Sequence, residues 1–139
     1  MRTNTRLIMP LMLSVASPAM SVESFSFTPT FSNGSLRWSV ETDGSATASN
    51  PTLHVVRGQT YDFIVEANSG HPFYVKTISS TGGGNAYAGF PQNDIQTSSS
   101  KTVSFTVPDD APDALFYNCS IHSSMAGAIE VSVFRDGFD

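Results

Sequence analysis

The sequence predicts an all-β domain, a Greek-key β-sandwich or barrel, and three observations support this. Short segments in which apolar and polar residues alternate, such as Phe25-Ser26-Phe27, recur along most of the chain. Clusters of Gly, Pro, Asn and Ser separate these segments. No stretch keeps the apolar spacing of an amphipathic helix for more than about one turn. Many short strands bounded by turn residues are typical of sandwiches and barrels.

The predicted strands follow one another along the chain. They are the region around Phe25 and Phe27, Leu53 to Val56, Thr60 to Glu66, Pro72 to Ile78, Lys101 to Val107, the residues that lead to Cys119, and Ala128 to Phe134. In the third of these, Tyr61, Phe63 and Val65 are expected to share one face, because side chains alternate across a strand. That face is expected to pack against the core.

Two irregular segments are predicted between strands. The polar stretch from Ser79 to Ser100 is expected to be a surface loop with room for one short strand. It contains Gly82-Gly83-Gly84, but no lysine follows at the offset that a phosphate-binding loop requires. The stretch from Pro108 to Asp113 predicts a tight turn before the strand that delivers Cys119.

The chain has 139 residues, which suits one domain with a single core. Residues 1–21 are expected to be a secretory signal peptide. Arg2 and Arg6 give a positive start, Leu7 to Val15 is mostly apolar, and small residues around Ala19 offer a cleavage site there or after Ser21. Residues 22–139 would then form the mature domain, in the periplasm or outside the cell.

The charge balance bears on partners. The chain has 7 basic and 12 acidic residues, and its leader holds two of the basic ones, so the mature charge is 5 − 12 = −7. An acidic surface repels nucleic acid and anionic membranes. No apolar run after the leader reaches the ~18 residues of a membrane-spanning helix. A soluble monomer is expected.

A candidate metal site lies near the C-terminus. Cys119 is the only cysteine, His122 follows three residues later and Met125 three further on. Another histidine, His71, lies 119 − 71 = 48 residues upstream, at the start of a predicted strand. One thiolate, two imidazoles and a weakly bound thioether are the ligands of blue-copper electron-transfer sites. These four residues are therefore predicted to bind one copper ion, which would also explain an unpaired cysteine in an exported protein.

Other interpretations of these residues are open. A lone cysteine can be a buried free thiol or form an intermolecular disulfide. A catalytic Cys-His pair is usually distant in sequence, whereas a spacing of three residues suits chelation. Zinc binds cysteine and histidine well, but a methionine in the fourth position favours copper. His54 has no candidate ligand near it in sequence and is expected to be a structural or surface histidine.

The pattern Cys-x-x-His-x-x-Met, after an aromatic residue and followed by Gly127, resembles the ligand loop of the cupredoxins. Its spacing is most similar to that of amicyanin and resembles plastocyanin and pseudoazurin. The resemblance covers Leu53 to Val133. It implies a β-sandwich of cupredoxin type, a type 1 copper bound by His71, Cys119, His122 and Met125, and one-electron transfer to a redox protein that docks near His122. Gly127 is expected to let the chain turn back into the last strand.

Two departures from the cupredoxin pattern matter. An asparagine, whose N–H donates to the cysteine sulfur, usually follows the first ligand histidine, but here Pro72 has no N–H. The His71-Pro72 pair also resembles multicopper oxidases, whose trinuclear cluster needs several His-x-His pairs. The chain has 3 histidines in all, so we expect a non-enzymatic protein. The alternative function is capture, buffering or delivery of copper in the cell envelope.

Overall fold

The computed structural model describes residues 10–11 and 22–133, so most of the expected leader and the predicted strand end at Phe134 lie outside the described residues. Residues 22–133 form β-strands and contain no helix. The strands are β1 (Glu23–Ser32), β2 (Ser35–Thr42), β3 (Ala48–Ser49), β4 (Leu53–Val56), β5 (Thr60–Glu66), β6 (Phe73–Lys76), β7 (Ser100–Thr106), β8 (Ala114–Cys119) and β9 (Ala126–Ser132). The all-β prediction is confirmed. Among the described residues, no helix could cross a membrane.

The strands form two mixed sheets that pack as a sandwich. One sheet has the order β3-β2-β1-β5-β7 and the other β4-β9-β8-β6. β1 and β5 are parallel, as are β4 and β9, and the remaining pairs are antiparallel. From β5 to β8 the chain alternates between the sheets, so neighbouring loops gather at the two ends of the sandwich.

The core between the sheets is rich in aromatic side chains. Phe27, Trp38, Phe73 and Tyr117 are fully buried, and their contacting rings have centroids 4.7 to 6.4 Å apart. In β5 every second residue is buried, as the alternation predicted. Rings of this size bury large apolar areas and contribute much of the stability of a small domain. The loops at the ends of the sandwich are therefore connected to strands that are held by a well-packed core.

The bounds of β4 and β5 coincide with the predicted segments, and β6, β7 and β9 fall within the predicted regions or within two residues of them. The hairpin of β1 and β2 was not predicted. Its turn is Asn33-Gly34, and both residues have positive φ, 49° and 79°. This dipeptide is a strong signal for a two-residue hairpin turn. The alternating apolar residues Leu36, Trp38 and Val40 of β2 were also visible in the sequence.

Residues 79–99 contain no named strand and make two isolated bridges to β6, at Ala86 and Ile95. The expectation of a surface loop with room for one short strand is wrong in one respect. Phe90 and Ile95 are 3% and 1% exposed and belong to the hydrophobic core. The segment is irregular because it is rich in Gly and Ser, but these two apolar residues pack into the core of the sandwich.

Candidate metal centre

Strand pairing brings His71 and Cys119 together. β8 ends at Cys119, which is paired with Phe73, the first residue of β6. The antiparallel ladder continues one step further, because the N–H of Ser120 donates to the carbonyl of Pro72 over 3.0 Å. His71, two residues before β6, and the residues after β8 therefore emerge side by side at one end of the sandwich. His71 and Cys119 are far apart in the sequence, but the register of β6 and β8 makes them neighbours in the structure.

The donor atoms of His71, Cys119 and His122 all lie within 4.8 Å of one another. The two Nδ1 atoms of the histidines are 3.1 Å apart, and Nδ1 of His122 is 3.6 Å from Sγ of Cys119. Two donors bonded to one ion, with metal–nitrogen and metal–sulfur bonds of about 2.0 to 2.3 Å, lie roughly 3 to 4 Å apart. These three side chains are thus spaced to bind a single ion.

The environment of His71 favours the form of its ring that binds a metal. Cys119 is fully buried, while both histidines are half-buried. Burial, and secondarily the neighbouring His122, hold the pKa of His71 below its usual range. Its ring is then neutral at pH 7, which leaves a nitrogen lone pair for a metal.

Met125 closes the loop that begins at Cys119. The N–H of Cys119 donates to the carbonyl of Met125 over 2.8 Å, and the N–H of Met125 donates to the carbonyl of His122 over 3.1 Å. Met125 is fully buried and belongs to the hydrophobic core. Its predicted role as an axial ligand stays a prediction.

His54 lies away from this cluster, on the outer face of β4. Its side chain is 74% exposed, and its Nδ1 is 3.0 Å from the carboxylate of Glu130. It is a surface histidine, as expected from the sequence.

The sulfur of Cys119 is surrounded by amides of its own loop. The N–H groups of Ile121 and His122 both point to Sγ with N···S distances of 3.4 Å. Such N–H donors stabilise negative charge on a sulfur, and the thiolate is the form in which cysteine binds a metal. The sulfur therefore has two backbone donors, although Pro72 cannot supply the one usual in cupredoxins.

A buried asparagine that was not among the predicted site residues fixes the backbone of His71. Asn68 is 1% exposed, and its amide donates to the carbonyls of His71 and Ile95 over 2.9 and 2.6 Å. Its Oδ1 accepts the N–H of Thr97 over 2.8 Å. Asn68-Ser69-Gly70 is a turn signal, and Gly70 has a φ of 76°. The turn was visible in the sequence, but its partners were not.

A second asparagine fixes the far side of the Cys119 loop. Asn50 donates from Nδ2 to the carbonyl of Ser124 over 2.8 Å, and its Oδ1 accepts the N–H of Trp38 over 2.8 Å. Because Trp38 is fully buried, this side chain ties the loop to the core. No sequence pattern indicates such a contact between residues 74 positions apart.

The expected role of Gly127 is wrong. The residue lies inside β9, opposite Tyr117 of β8, and its φ is not in the left-handed region. A Cβ atom at this position would overlap the phenol ring of Tyr117, whose hydroxyl donates to the carbonyl of Pro51. Gly127 therefore makes room for a buried tyrosine, and the chain turns earlier, within residues 120–125.

No protein-family model matches the chain, and no curated protein matches it. Among solved structures, the chain is similar to McoA, a multicopper oxidase from the hyperthermophile Aquifex aeolicus, with 17% identity over 84% of this chain and 27% of that chain, and a TM-score of 0.49. A mutant of rusticyanin gives 22% identity over 79% of this chain and 76% of that chain, with a TM-score of 0.43. Fet3p, a multicopper oxidase that functions in iron import, gives 14% identity over 84% of this chain and 24% of that chain, with a TM-score of 0.45.

The chain spans about a quarter of the length of these oxidases, 27% of McoA and 24% of Fet3p. At these identities and TM-scores, the matches carry no chemistry to this chain. What the site can bind follows from its own donor atoms.

Replacement of His71 by alanine is expected to weaken copper binding by more than about a hundredfold, because groups that only orient a ligand already contribute 10- to 100-fold. Replacement of His54, the exposed histidine, is the matched control and should leave the affinity unchanged. Competition with a copper chelator measures both. Equal affinities of the two variants would contradict the assignment of His71.

Proposed function

We propose that this chain is an exported type 1 copper protein that carries one electron at a time between redox proteins. The observation that carries the proposal is the convergence of His71, His122 and Cys119, whose ligand atoms all lie within 4.8 Å of one another. A thiolate with two imidazoles is the equatorial ligand set of blue-copper sites. Bound copper would supply the one-electron step by cycling between Cu(I) and Cu(II).

The way in which the ligands are held supports electron transfer. Asn68 fixes the carbonyl of His71, Asn50 fixes the carbonyl of Ser124, and the backbone closes the loop between Cys119 and Met125. Ligands held by such surrounding contacts keep their orientation, because each would have to break hydrogen bonds to move. A site that changes little between two oxidation states exchanges electrons rapidly.

The proposed route for electrons leads through His122. Its ring is half-buried, and it follows Ile121, which is 58% exposed, and precedes the exposed Ser123. These neighbours carry no charge, which suits a brief encounter better than a tight complex. A redox protein partner would dock over the surface formed by Ile121, His122 and Ser123. Cys119 is shielded from water beneath this surface.

We also propose that the chain is not itself an enzyme. It contains 3 histidines, of which His54 is on the surface and paired with Glu130. The remaining two converge with Cys119, so this chain has no set of histidines for a trinuclear cluster. Copper capture or delivery would use the same ligands, and the two roles differ in how firmly copper is retained.

Voltammetry of the copper-loaded protein tests the proposed function. A reversible one-electron wave, together with retention of copper during competition with a chelator, is the expected result. Rapid loss of copper to the chelator without a reversible wave would contradict electron transfer and favour a copper-handling role.

Replacement of Pro72 by asparagine is expected to raise the reduction potential. The variant gains an N–H at the position from which cupredoxins usually donate to the cysteine sulfur, and a further donor withdraws electron density from the thiolate. Voltammetry of the two copper-loaded proteins measures the shift. An unchanged or lower potential in the variant would contradict it.

A further inference from the structure

Lys76 is a fully buried lysine outside the metal cluster. It ends β6, in which Phe73 and Val75 face the core, so its side chain lies on the opposite face of the sheet. It is nevertheless 0% exposed. Lysine is almost never fully buried unless its ammonium is paired, because removing the charge from water is costly. Burial accordingly lowers the pKa of Lys76.

The hydrogen-bond partners of Lys76 all belong to one glycine-rich loop, residues 77–85, which folds over this face of the sheet. Nζ of Lys76 also lies 5.3 Å from the centroid of the Tyr74 ring on the same strand. Nζ donates to the carbonyl of Ser80 over 2.8 Å, to the hydroxyl of Ser80 over 3.3 Å and to the carbonyl of Gly82. The loop closes on itself, since the N–H of Thr77 donates to the carbonyl of Asn85 over 2.9 Å. An ammonium has three donor hydrogens, and here three acceptors surround it.

The loop is connected in turn to the sulfur of Cys119. The N–H of Gly82 donates to the carbonyl of Ser120 over 2.7 Å. That carbonyl belongs to the same planar peptide as the N–H of Ile121, and in a trans peptide the two groups point in opposite directions. The N–H of Ile121 is directed at Sγ of Cys119, 3.4 Å away. Fixing Gly82 therefore fixes an amide that faces the thiolate.

We propose that Lys76 is a positioning residue of the metal site, which holds Gly82 so that the peptide between Ser120 and Ile121 donates to the sulfur of Cys119. The inference rests on the proposed function for its effect on copper. Without the ammonium, the carbonyl of Gly82 would lose the hydrogen bond that holds it in place. The N–H of Ile121 would then be free to rotate away from the sulfur. The thiolate would then keep more electron density, which lowers the reduction potential and shifts the sulfur-to-copper absorption.

The test compares Lys76→Met with Lys101→Met in the full-length protein. Methionine keeps an unbranched side chain at the buried position, and Lys101 is an exposed lysine on β7, so its variant removes the same charge without touching the loop. In the copper-free proteins, exchange of the Gly82 amide hydrogen is expected to be at least about tenfold faster in Lys76→Met than in Lys101→Met. Equal exchange rates would overturn the inference.

The copper-loaded proteins supply a second measurement. Lys76→Met is expected to have a lower reduction potential and a shifted visible band, while Lys101→Met should match the wild type. If the wild type forms no such band, the proposed function fails, and the exchange rates still decide the role of Lys76. If the wild type binds copper and Lys76→Met has the same band and the same reduction potential, the inference is overturned.

A glycine pair keeps the inference testable should Lys76→Met not fold. Gly82 has a φ of 78°, so alanine there is strained, whereas Gly84 has an ordinary φ. An added Cβ meets nothing within 4 Å at either position. Gly82→Ala, which retains the charge of Lys76, is expected to have a lower reduction potential and a shifted band relative to the wild type, and Gly84→Ala is not. Identical spectra for the two would contradict the connection through Gly82.

Discussion

Replacement of Cys119 by alanine is expected to abolish the intense visible absorption that Cu(II) induces in the wild-type protein. The absorption arises from charge transfer between thiolate and copper, and Cys119 is the only cysteine of the chain. The change should also weaken copper binding more than any other single substitution, since it removes the strongest donor of the site. An absorption titration with Cu(II) measures both effects.

Ser120→Ala is the matched control for this variant. Ser120 contacts Pro72 and Gly82 through its backbone, which alanine retains. This variant should therefore bind copper with the wild-type spectrum. Retention of the band in Cys119→Ala, or its loss in Ser120→Ala, would contradict the assignment of the thiolate.

Replacement of Gly127 by alanine is expected to destabilise the fold by about 2 to 3 kcal/mol, a typical cost of overpacking a core. The added Cβ overlaps the ring of Tyr117, which is fully buried and cannot move without disturbing its hydrogen bond to Pro51. For a domain of this size, the melting temperature should fall by roughly 10 °C. Thermal unfolding followed by circular dichroism measures the change.

Gly84→Ala is the control for stability as well. Its Cβ would point into open space and its φ is not in the left-handed region, so the melting temperature should be close to that of the wild type. A Gly127→Ala protein that melts together with this control would show that the tyrosine has room to shift.

The sequence was sufficient for the parts of the fold that depend on local pattern. Alternation predicted β4 and β5 to the residue, because one face of each strand packs on the core. The spacing of Cys119, His122 and Met125 placed these residues in one loop. His71 was assigned from its position before a strand, and the pairing of Phe73 with Cys119 explains why it lies beside the thiol.

The parts that could not be predicted depend on contacts between distant segments. Nothing in the sequence distinguishes Lys76 from an exposed lysine, because its burial results from a loop that folds back over β6. Asn50 likewise contacts Ser124 only because its hydrogen bonds to Trp38 of β2 hold it near the loop. The role of Gly127 was predicted wrongly because a glycine after a ligand loop is equally compatible with a turn and with close packing against an aromatic ring.

X-ray absorption of the copper-loaded protein tests the central claim most directly, namely that the sulfur of Cys119 and Nδ1 of both His71 and His122 bind the same ion. The spectrum of the wild type is expected to contain one sulfur and two imidazole rings bonded to copper, with one ring lost in His71→Ala. A copper ion bonded only to oxygen and nitrogen, or to a single imidazole in the wild type, would contradict it.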